Sequence, residues 1–244
     1  MAQIMAILNC TPDSFYAPSR ITNSDLLIGV AQQAIADGAD YLDIGACSTR
    51  PNSQPVDAET EWKRLQPALQ ALKQTIPEAS ISIDTFRPEI AQKALEQFGP
   101  MIINDISGGC ERMYEIVRFW NVPYIWTLRG NLESISSRLR EMNIRDVVLD
   151  PGFGFIGSTE KDYECLAQMN RLQQYGKPIL VGVSRKSMVY KPLGLTPDTC
   201  LAATQVLHLL ALQQGATILR VHDVPEAVQT CMLYEKMYKQ TTNH

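Results

Sequence analysis

Short apolar runs alternate along the chain with longer stretches in which apolar residues recur every three or four positions. The short runs predict buried strands, and the longer stretches predict amphipathic helices. The eight predicted strands cover residues 4–9, 41–46, 80–85, 101–107, 123–129, 146–152, 178–184 and 217–222. A strand followed by a helix is therefore the repeating unit of the sequence.

This repeat predicts a parallel sheet covered by helices, because parallel strands need crossover connections and are apolar throughout when both faces are buried. Dividing 244 residues by eight gives about 30 per repeat, enough for one strand, one helix and two short loops. Eight such units can close into a single (β/α)8 TIM barrel domain over residues 1–244, with its active site at the C-terminal end of the strands. A last helical stretch, residues 224–240, favours closure over the alternative, a doubly wound open sheet.

Composition and charge exclude several classes of protein. The chain is 45% hydrophobic and 20% charged, as globular domains are, and 22 basic against 26 acidic residues give a net charge of −4. Such a balance offers no basic surface for nucleic acid or membrane. The sequence shows no secretion signal or membrane segment, and its six cysteines lack a paired spacing. We therefore expect a cytoplasmic protein with reduced thiols and small-molecule partners.

Polar side chains stand at the carboxyl ends of the predicted strands. They are Asn9, Asp43, Asp84, Asn104, Asp150, Lys186, Arg220 and His222. Any one of them could be a helix cap or a structural ion pair, but together they predict a binding site on one face of the barrel. Carboxylate and amide groups suit a flat heterocycle with N–H edges, whereas Arg50, Arg220 and His222 suit phosphate oxygens. The predicted ligand is heteroaromatic at one end and phosphorylated at the other.

Seven stretches resemble dihydropteroate synthase, and they occur in the order found in that family. They are LNCTPDSF (8–15), DIGACSTRP (43–51), SIDTFRPEIA (82–91), INDISGG (103–109), DPGFGF (150–155), VGVSRKS (181–187) and RVHDV (220–224). The resemblance implies a TIM-barrel transferase of folate biosynthesis. It implies that 4-aminobenzoate is joined to the pterin of 6-hydroxymethyl-7,8-dihydropterin pyrophosphate, with release of pyrophosphate and with Mg²⁺ as cofactor.

The same resemblance implies roles for individual residues. Pterin recognition is expected from Asp84, Asn104, Asp150 and Lys186. Contact with the diphosphate or the metal is expected from Asn9, Thr49, Arg50, Arg220 and His222, with Asn9 as the metal ligand. The 4-aminobenzoate is expected near Arg50, Pro51, Phe155, Ser184 and Lys186, under loops formed by residues 11–24 and 47–56. The expected catalytic residues are Asp84, Lys186 and Arg220.

The chain departs from the family pattern at several loops. Cys47 replaces a usual Glu, the segment after Phe15 lacks a usual Asp-Gly-Gly, and Ile156-Gly157 replaces a common Gly-Lys. WTLRG at residues 126–130 replaces a Met-His-Met pattern, and we expect Trp126 to flank the pterin.

Two other functions stay open. One is a pterin-dependent methyltransferase, against which the predicted phosphate-binding residues argue, because a methyl donor carries no diphosphate. The other is a non-catalytic pterin-binding homologue, which the altered loops favour. The last two helices carry apolar faces with Leu207, Leu210, Met232, Tyr234 and Met237. We expect these faces to belong mostly to the core, and we also expect a homodimer through them.

Overall fold

A computed structural model describes residues 1–10, 23–46, 56–129 and 134–239. Its strands are β1 (Gln3–Asn9), β2 (Tyr41–Gly45), β3 (Ile81–Asp84), β4 (Ile102–Asp105), β5 (Tyr124–Thr127), β6 (Val147–Asp150), β7 (Leu180–Val181) and β8 (Ile218–Val221). Each lies inside or within a residue of a predicted strand, so the pattern of apolar runs located all eight. The strands are mostly shorter than the runs, because the last residues of several runs leave the sheet and form the loops at its carboxyl edge.

The helices lie between the strands. They are α1 (Asn23–Ala36), α2 (Ala58–Thr75), α3 (Pro88–Phe98), α4 (Glu111–Trp120), α5 (Ile135–Met142), α6 (Thr159–Ala167), α7 (Ser187–Tyr190), α8 (Leu201–Gln213) and α9 (Val224–Lys239). Short 3-10 helices follow α6 and α7. Within the described ranges, no helix combines the length and the apolar composition needed to cross a bilayer.

All strands pair in parallel, in the order β6-β5-β4-β3-β2-β1-β8-β7. The two ends of this sheet meet where Leu149 of β6 bridges Ile179, and the Leu149 amide donates to the Pro178 carbonyl oxygen at 2.9 Å. The sheet is therefore a nearly closed barrel. The predicted (β/α)8 fold is confirmed and the open-sheet alternative is wrong.

Two layers of side chains fill the barrel interior. The lower layer is apolar and is formed by Met5, Tyr41, Ile102, Ile125, Val148, Leu180 and Ile218. Because side chains alternate along a strand, residues two positions further on face the same interior. Those positions hold Asp43, Asn104, Thr127, Asp150, Gly182, Arg220 and the apolar Ile7, and the strand register places Asp84 beside Asn104. The polar layer therefore lies directly above the apolar one, at the carboxyl end of the strands.

The opposite faces of the strands pack against the helices in a second, larger apolar cluster. Local signals fix where those helices begin and end. Asp57 caps α2 by accepting a hydrogen bond from the Thr60 amide at 2.7 Å, and Ser158 caps α6 through the Lys161 amide. Capping of this kind satisfies the amides that a helix leaves without partners at its first turn.

Candidate active site

The guanidinium of Arg220, on β8, lies between two carboxylates in the polar layer. Its Nε donates to Asp43 Oδ2 and its Nη2 to Asp84 Oδ2, each at 2.7 Å. Asp43 is fully buried, and the Arg220 side chain is only 18% exposed. Two strand-end acids therefore hold Arg220 inside the pocket, and its contact with the diphosphate stays a prediction.

Asn104 extends this cluster to β4. The backbone register places Asn104 beside Asp84, and the Asn104 amide nitrogen donates to Asp43 Oδ2 at 3.1 Å. Among the described residues, no donor reaches the buried Oδ1 atoms of Asn104 and Asp43. A buried acceptor without a donor is costly, so these two oxygens fit a ligand that brings N–H groups.

Asp84 connects Arg220 to the end of β3. Burial raises the pKa of its carboxyl group above the ordinary value, and the charge of Asp43 raises it further, while Arg220 acts in the opposite direction. A carboxylate held with restricted hydration interacts more strongly with a nearby developing charge than one in water does.

Lys186 lies on the other side of the same pocket. Its ammonium donates to the Phe153 carbonyl oxygen and stands 5.1 Å from the centre of the Phe155 ring. A methyl group placed on Gly182 would lie 3.7 Å from Arg220 Cβ and 3.9 Å from Lys186 Nζ, so both cations border the space above this glycine. Burial lowers the pKa of Lys186 to about 8, against the influence of the Asp150 charge.

Asp150, at the end of β6, is fixed by two donors. Its Oδ2 accepts from the Thr127 hydroxyl at 3.0 Å and its Oδ1 from the Gly152 amide at 2.9 Å. Thr127 faces the interior, and its neighbour Trp126 therefore faces the helices, where its Nε1 donates to the Gly108 carbonyl oxygen at 2.9 Å. The expectation that Trp126 flanks the pterin is wrong, because adjacent residues of a strand point to opposite faces.

His222 and Ser184 connect β8 to the chain after β7 at the mouth of the barrel. His222 Nδ1 lies 3.0 Å from Ser184 Oγ, and the His222 backbone amide donates to the same oxygen at 3.2 Å. Beside them, Arg185 adopts a left-handed backbone with a φ of 54° and forms a two-pronged ion pair with Asp223 at 2.6 and 3.2 Å. Arg185 lies between Ser184 and Lys186 in the sequence, and Asp223 follows His222. The ion pair therefore holds the two chain segments that carry these residues together.

Asn9 completes the mouth on the side of β1. A methyl group placed on Gly45 would lie 3.6 Å from Asn9 Oδ1 and 3.7 Å from Asp84 Oδ2, so the two side chains border one space. Within the described part of the chain, no group of three or more His, Cys, Asp or Glu side chains is arranged to hold a metal ion. Asn9 Oδ1 is a hard oxygen donor, the type that Mg²⁺ accepts when substrate phosphates and water supply its other ligands.

The structure brings eight of the predicted site residues to one end of the barrel. They are Asn9, Asp84, Asn104, Asp150, Ser184, Lys186, Arg220 and His222. Phe155 joins them through Lys186. Thr49, Arg50 and Pro51 lie outside the described residues, as do Cys47 and most of the two predicted substrate loops. The individual roles of all these residues stay predictions.

Sequence reasoning missed two groups that support the pocket. WTLRG at residues 126–130 was interpreted only as a departure from the family pattern, although its Thr127 donates to Asp150. Glu61 on α2 was overlooked, although it is 1% exposed and accepts from the Thr85 hydroxyl at 2.6 Å. Glu61 shares the buried face of α2 with Leu65, Leu69 and Leu72, and a charged residue on an apolar helix face was the available signal.

Comparison with known proteins agrees with this geometry. A family model described as "pterin binding enzyme" matches residues 5–137 and 126–222. The dihydropteroate synthase of Clostridium beijerinckii is 34% identical over 242 residues, which cover 91% of this chain and 89% of that protein. A Helicobacter pylori bifunctional dihydropteroate synthase/dihydropteroate reductase is 34% identical over 259 residues, which cover 96% of this chain and 68% of that protein.

Solved structures give the same result. A Clostridium difficile dihydropteroate synthase, determined in the presence of pteroic acid, has a TM-score of 0.86 and 32% identity over 97% of both chains. A Xanthomonas albilineans dihydropteroate synthase with 4-aminobenzoic acid has a TM-score of 0.86 and 31% identity over 97% of this chain and 93% of that one.

The barrel and its polar pocket, together with the family match, define a pterin-binding enzyme of the TIM-barrel class. More narrowly, the chain belongs to the dihydropteroate synthase family, as the resemblance of its seven motifs predicted.

Proposed function

We propose that this chain catalyses the reaction of its family, the transfer of a pterinylmethyl group from 6-hydroxymethyl-7,8-dihydropterin pyrophosphate to 4-aminobenzoate. One observation carries the proposal. The buried oxygens of Asn104 and Asp43 lack donors in the described structure, and they lie in one cluster with the Asp84 carboxylate; Arg220, which pairs with Asp43, borders the same space as the Lys186 ammonium. This set complements a flat ring that offers several N–H groups and a carbonyl oxygen.

The pterin end of the substrate occupies the polar layer. Asn104 Oδ1 and the Asp150 carboxylate accept hydrogen bonds from ring N–H groups, and Lys186 donates to a ring acceptor. Donors on Thr127 and Gly152 fix Asp150 before the substrate arrives. Groups that are fixed in advance reduce the entropy cost of binding.

The chemical step needs no protein nucleophile. The carbon–oxygen bond at the pterin methylene breaks, and its electron pair leaves with the diphosphate. Positive charge develops in the ring, the 4-aminobenzoate nitrogen forms the new carbon–nitrogen bond, and this nitrogen then loses a proton to solvent. Asp84 stabilises the developing charge, and Arg220 holds the Asp84 carboxylate in place.

The diphosphate lies at the mouth, near His222 and Asn9. His222 is exposed there, and its ring is oriented by Ser184. Asn9 Oδ1 is the protein oxygen that we assign to Mg²⁺, which neutralises charge on a departing diphosphate when it is bound. Thr49 and Arg50 are further diphosphate ligands in this proposal, and Arg50, Pro51, Phe155 and Ser184 adjoin the 4-aminobenzoate.

The test is an assay of the purified chain with the pterin pyrophosphate, 4-aminobenzoate and Mg²⁺. We expect pyrophosphate and 7,8-dihydropteroate in equal amounts, measured by a coupled phosphate assay and mass spectrometry. Tight pterin binding without product would favour the non-catalytic homologue. Methyl transfer from a methylated pterin, without condensation, would favour the methyltransferase.

A homodimer and a cytoplasmic location complete the proposal. The outer faces of α8 and α9 expose apolar side chains, namely Val206, Leu210, Met232, Leu233 and Met237. Leu207 of α8 is 9% exposed and belongs to the core, as expected for most of these apolar positions. Light scattering should give twice the chain mass, and Leu233→Glu should return the protein to the monomer.

The five described cysteines are free thiols, which suits the reducing environment of the cytoplasm.

A further inference from the structure

A buried ion pair lies directly behind the pterin pocket. The Arg87 guanidinium pairs with Glu61 of α2, whose carboxylate is 1% exposed, and its second arm donates to the Val56 carbonyl oxygen at 2.6 Å. Glu61 also accepts from the Thr85 hydroxyl at 2.6 Å, and the Thr85 oxygen accepts from the Arg87 backbone amide at 3.2 Å. One network therefore joins the end of β3 to the beginning of α2.

Both attachment points border functional parts of the chain. Thr85 directly follows Asp84, whose carboxylate holds Arg220. Val56 is the first described residue after the segment that carries Thr49, Arg50 and Pro51. At the other end of that segment, the Arg64 guanidinium of α2 donates to the Ala46 carbonyl oxygen at 3.3 Å. Helix α2 is thus tied to both flanks of the connection between β2 and α2.

Stability alone is a weak reason for such a pair. Burying two charges costs solvation energy, and a well-packed apolar pair of similar size is often as stable. A guanidinium that spans a carboxylate and a backbone carbonyl does, however, impose one geometry on both partners. The network is suited to fixing positions, and Glu61 is close enough for its charge to act on the Asp84 carboxyl.

We infer that Glu61 and Arg87 are positioning residues for the condensation, which hold Asp84 and the chain entering at Val56 in their catalytic arrangement. The inference rests on the proposed function. Neither residue contacts the substrate in this account. Their effect reaches the reaction through Thr85 and through the Val56 carbonyl, and misplacement of about 1 Å can lower an enzymatic rate by about 100-fold.

The experiment compares Arg87→Met and Arg87→Lys with the wild-type protein. Arg87→Met removes both contacts. Arg87→Lys keeps a positive charge next to Glu61 but cannot reach the carboxylate and the Val56 carbonyl together. The matched control is Arg118→Met, because Arg118 likewise pairs with a glutamate, Glu111, at 2.5 Å and donates to a backbone carbonyl, that of Met142, at 2.9 Å. This control lies on α4, away from the pocket.

We expect kcat to fall at least about 10-fold in Arg87→Met, measured well below its unfolding temperature. Arg87→Lys should recover much of the thermal stability while kcat stays low, and Arg118→Met should keep kcat within about twofold of wild type. Normal kcat in folded Arg87→Met, or recovery of both stability and kcat by lysine, would overturn the inference.

Hydrogen exchange provides a readout that does not depend on turnover. The peptide spanning residues 56–65 should exchange faster in Arg87→Met than in wild type, and Arg118→Met should leave it unchanged. Unchanged exchange in Arg87→Met would overturn the inference even if the wild-type protein proved inactive. An inactive wild-type protein, by contrast, contradicts the proposed function and leaves the exchange comparison to decide the positioning role.

Discussion

The Asp84 carboxylate accepts a hydrogen bond from the Arg220 guanidinium at 2.7 Å, although the two residues are 136 positions apart in the sequence. Only closure of the barrel brings β3 and β8 close enough for this contact, since β2 and β1 lie between them in the sheet. Asp43 shares the same guanidinium. The pocket thus places two carboxyl groups around one guanidinium, and a carboxylate beside the reacting ring stabilises a cationic transition state.

The first prediction concerns Asp84→Asn. The amide keeps the shape of the side chain and an oxygen for Arg220, but it removes the negative charge. We expect kcat to fall by about 100-fold or more, since removing one stabilising group from a charged transition state has about that effect. Steady-state kinetics, with a thermal unfolding curve to confirm the fold, make the measurement. Turnover close to wild type would remove Asp84 from its assigned role.

The second prediction concerns pH. Because burial lowers the pKa of Lys186 to about 8, its ammonium loses a proton as the pH rises through that value. Affinity for the pterin pyrophosphate should therefore decline above about pH 8, as measured by titration calorimetry. Lys186→Met should bind weakly and lose this alkaline decline, whereas Lys161→Met, a change at an exposed lysine of α6, should retain it. If the alkaline decline in affinity persists in Lys186→Met, a group other than Lys186 is responsible for it.

The same lysine should make the folded protein more stable as the pH rises above about 8, whereas affinity for the substrate should decline over that range. The unfolded chain keeps Lys186 protonated up to its ordinary pKa of 10.5, whereas the folded chain releases the proton near 8. Between these values the unfolded state binds more protons, so this group's contribution to the free energy of unfolding rises with pH. The difference in free energy of unfolding between wild type and Lys186→Met, measured by urea denaturation, should therefore be larger at pH 10 than at pH 8. A difference that becomes smaller as the pH rises would contradict this prediction.

The third prediction concerns two glycines. Gly152 has a φ of 86°, and a methyl group there would lie 2.8 Å from Thr127 Cγ2 and 3.1 Å from the Arg129 amide nitrogen. Gly99 has a similar φ of 81°, but no atom of the described residues lies within 4 Å of that position. Its ψ of −174° with this φ is a conformation open essentially to glycine alone, so Gly99→Ala should cost that backbone strain, about 2 kcal/mol, and Gly152→Ala, with its close contacts, about 2 kcal/mol more, by urea denaturation. Equal losses would show that the contact with Thr127 is relieved at little cost.

The fourth prediction concerns Tyr124→Phe. The Tyr124 hydroxyl donates to Asp105 Oδ2 at 2.9 Å on the helix side of the sheet, and both side chains are fully buried. Removing the hydroxyl leaves a buried carboxylate oxygen without this donor, which should lower the free energy of unfolding by about 1 to 2 kcal/mol. Since Asp105 faces away from the pocket, kcat should stay within about twofold of wild type. Lost turnover at unchanged stability would contradict this separation.

The sequence predicted the fold well because the barrel depends on a repeated local pattern. Most strands are apolar until their carboxyl ends, as β4 and β6 are, so both the strands and the polar positions at that edge could be identified. Charge pairing could not be predicted in the same way. The pairing of Arg220 with Asp43 and Asp84 could not be predicted, because the sequence does not state which carboxylate meets which cation across the barrel.

The error over Trp126 has a simpler origin. Alternation along β5 turns Trp126 to the helices once Thr127 is assigned to the interior, and this could have been deduced from the strand alone. The exposed and buried faces of α8 differ little in hydropathy, so the sequence could not show that Leu207 faces the core while Leu210 faces outward.

The most direct test of the account is a crystal structure of the chain with the pterin pyrophosphate or a stable analogue. We predict that the ring lies within hydrogen-bond distance of Asn104, Asp150 and Lys186, with the Asp84 carboxylate beside it and the phosphates toward His222 and Asn9. A ring bound elsewhere, or phosphates lodged between Asp43 and Asp84 in place of the Arg220 contacts, would contradict the account.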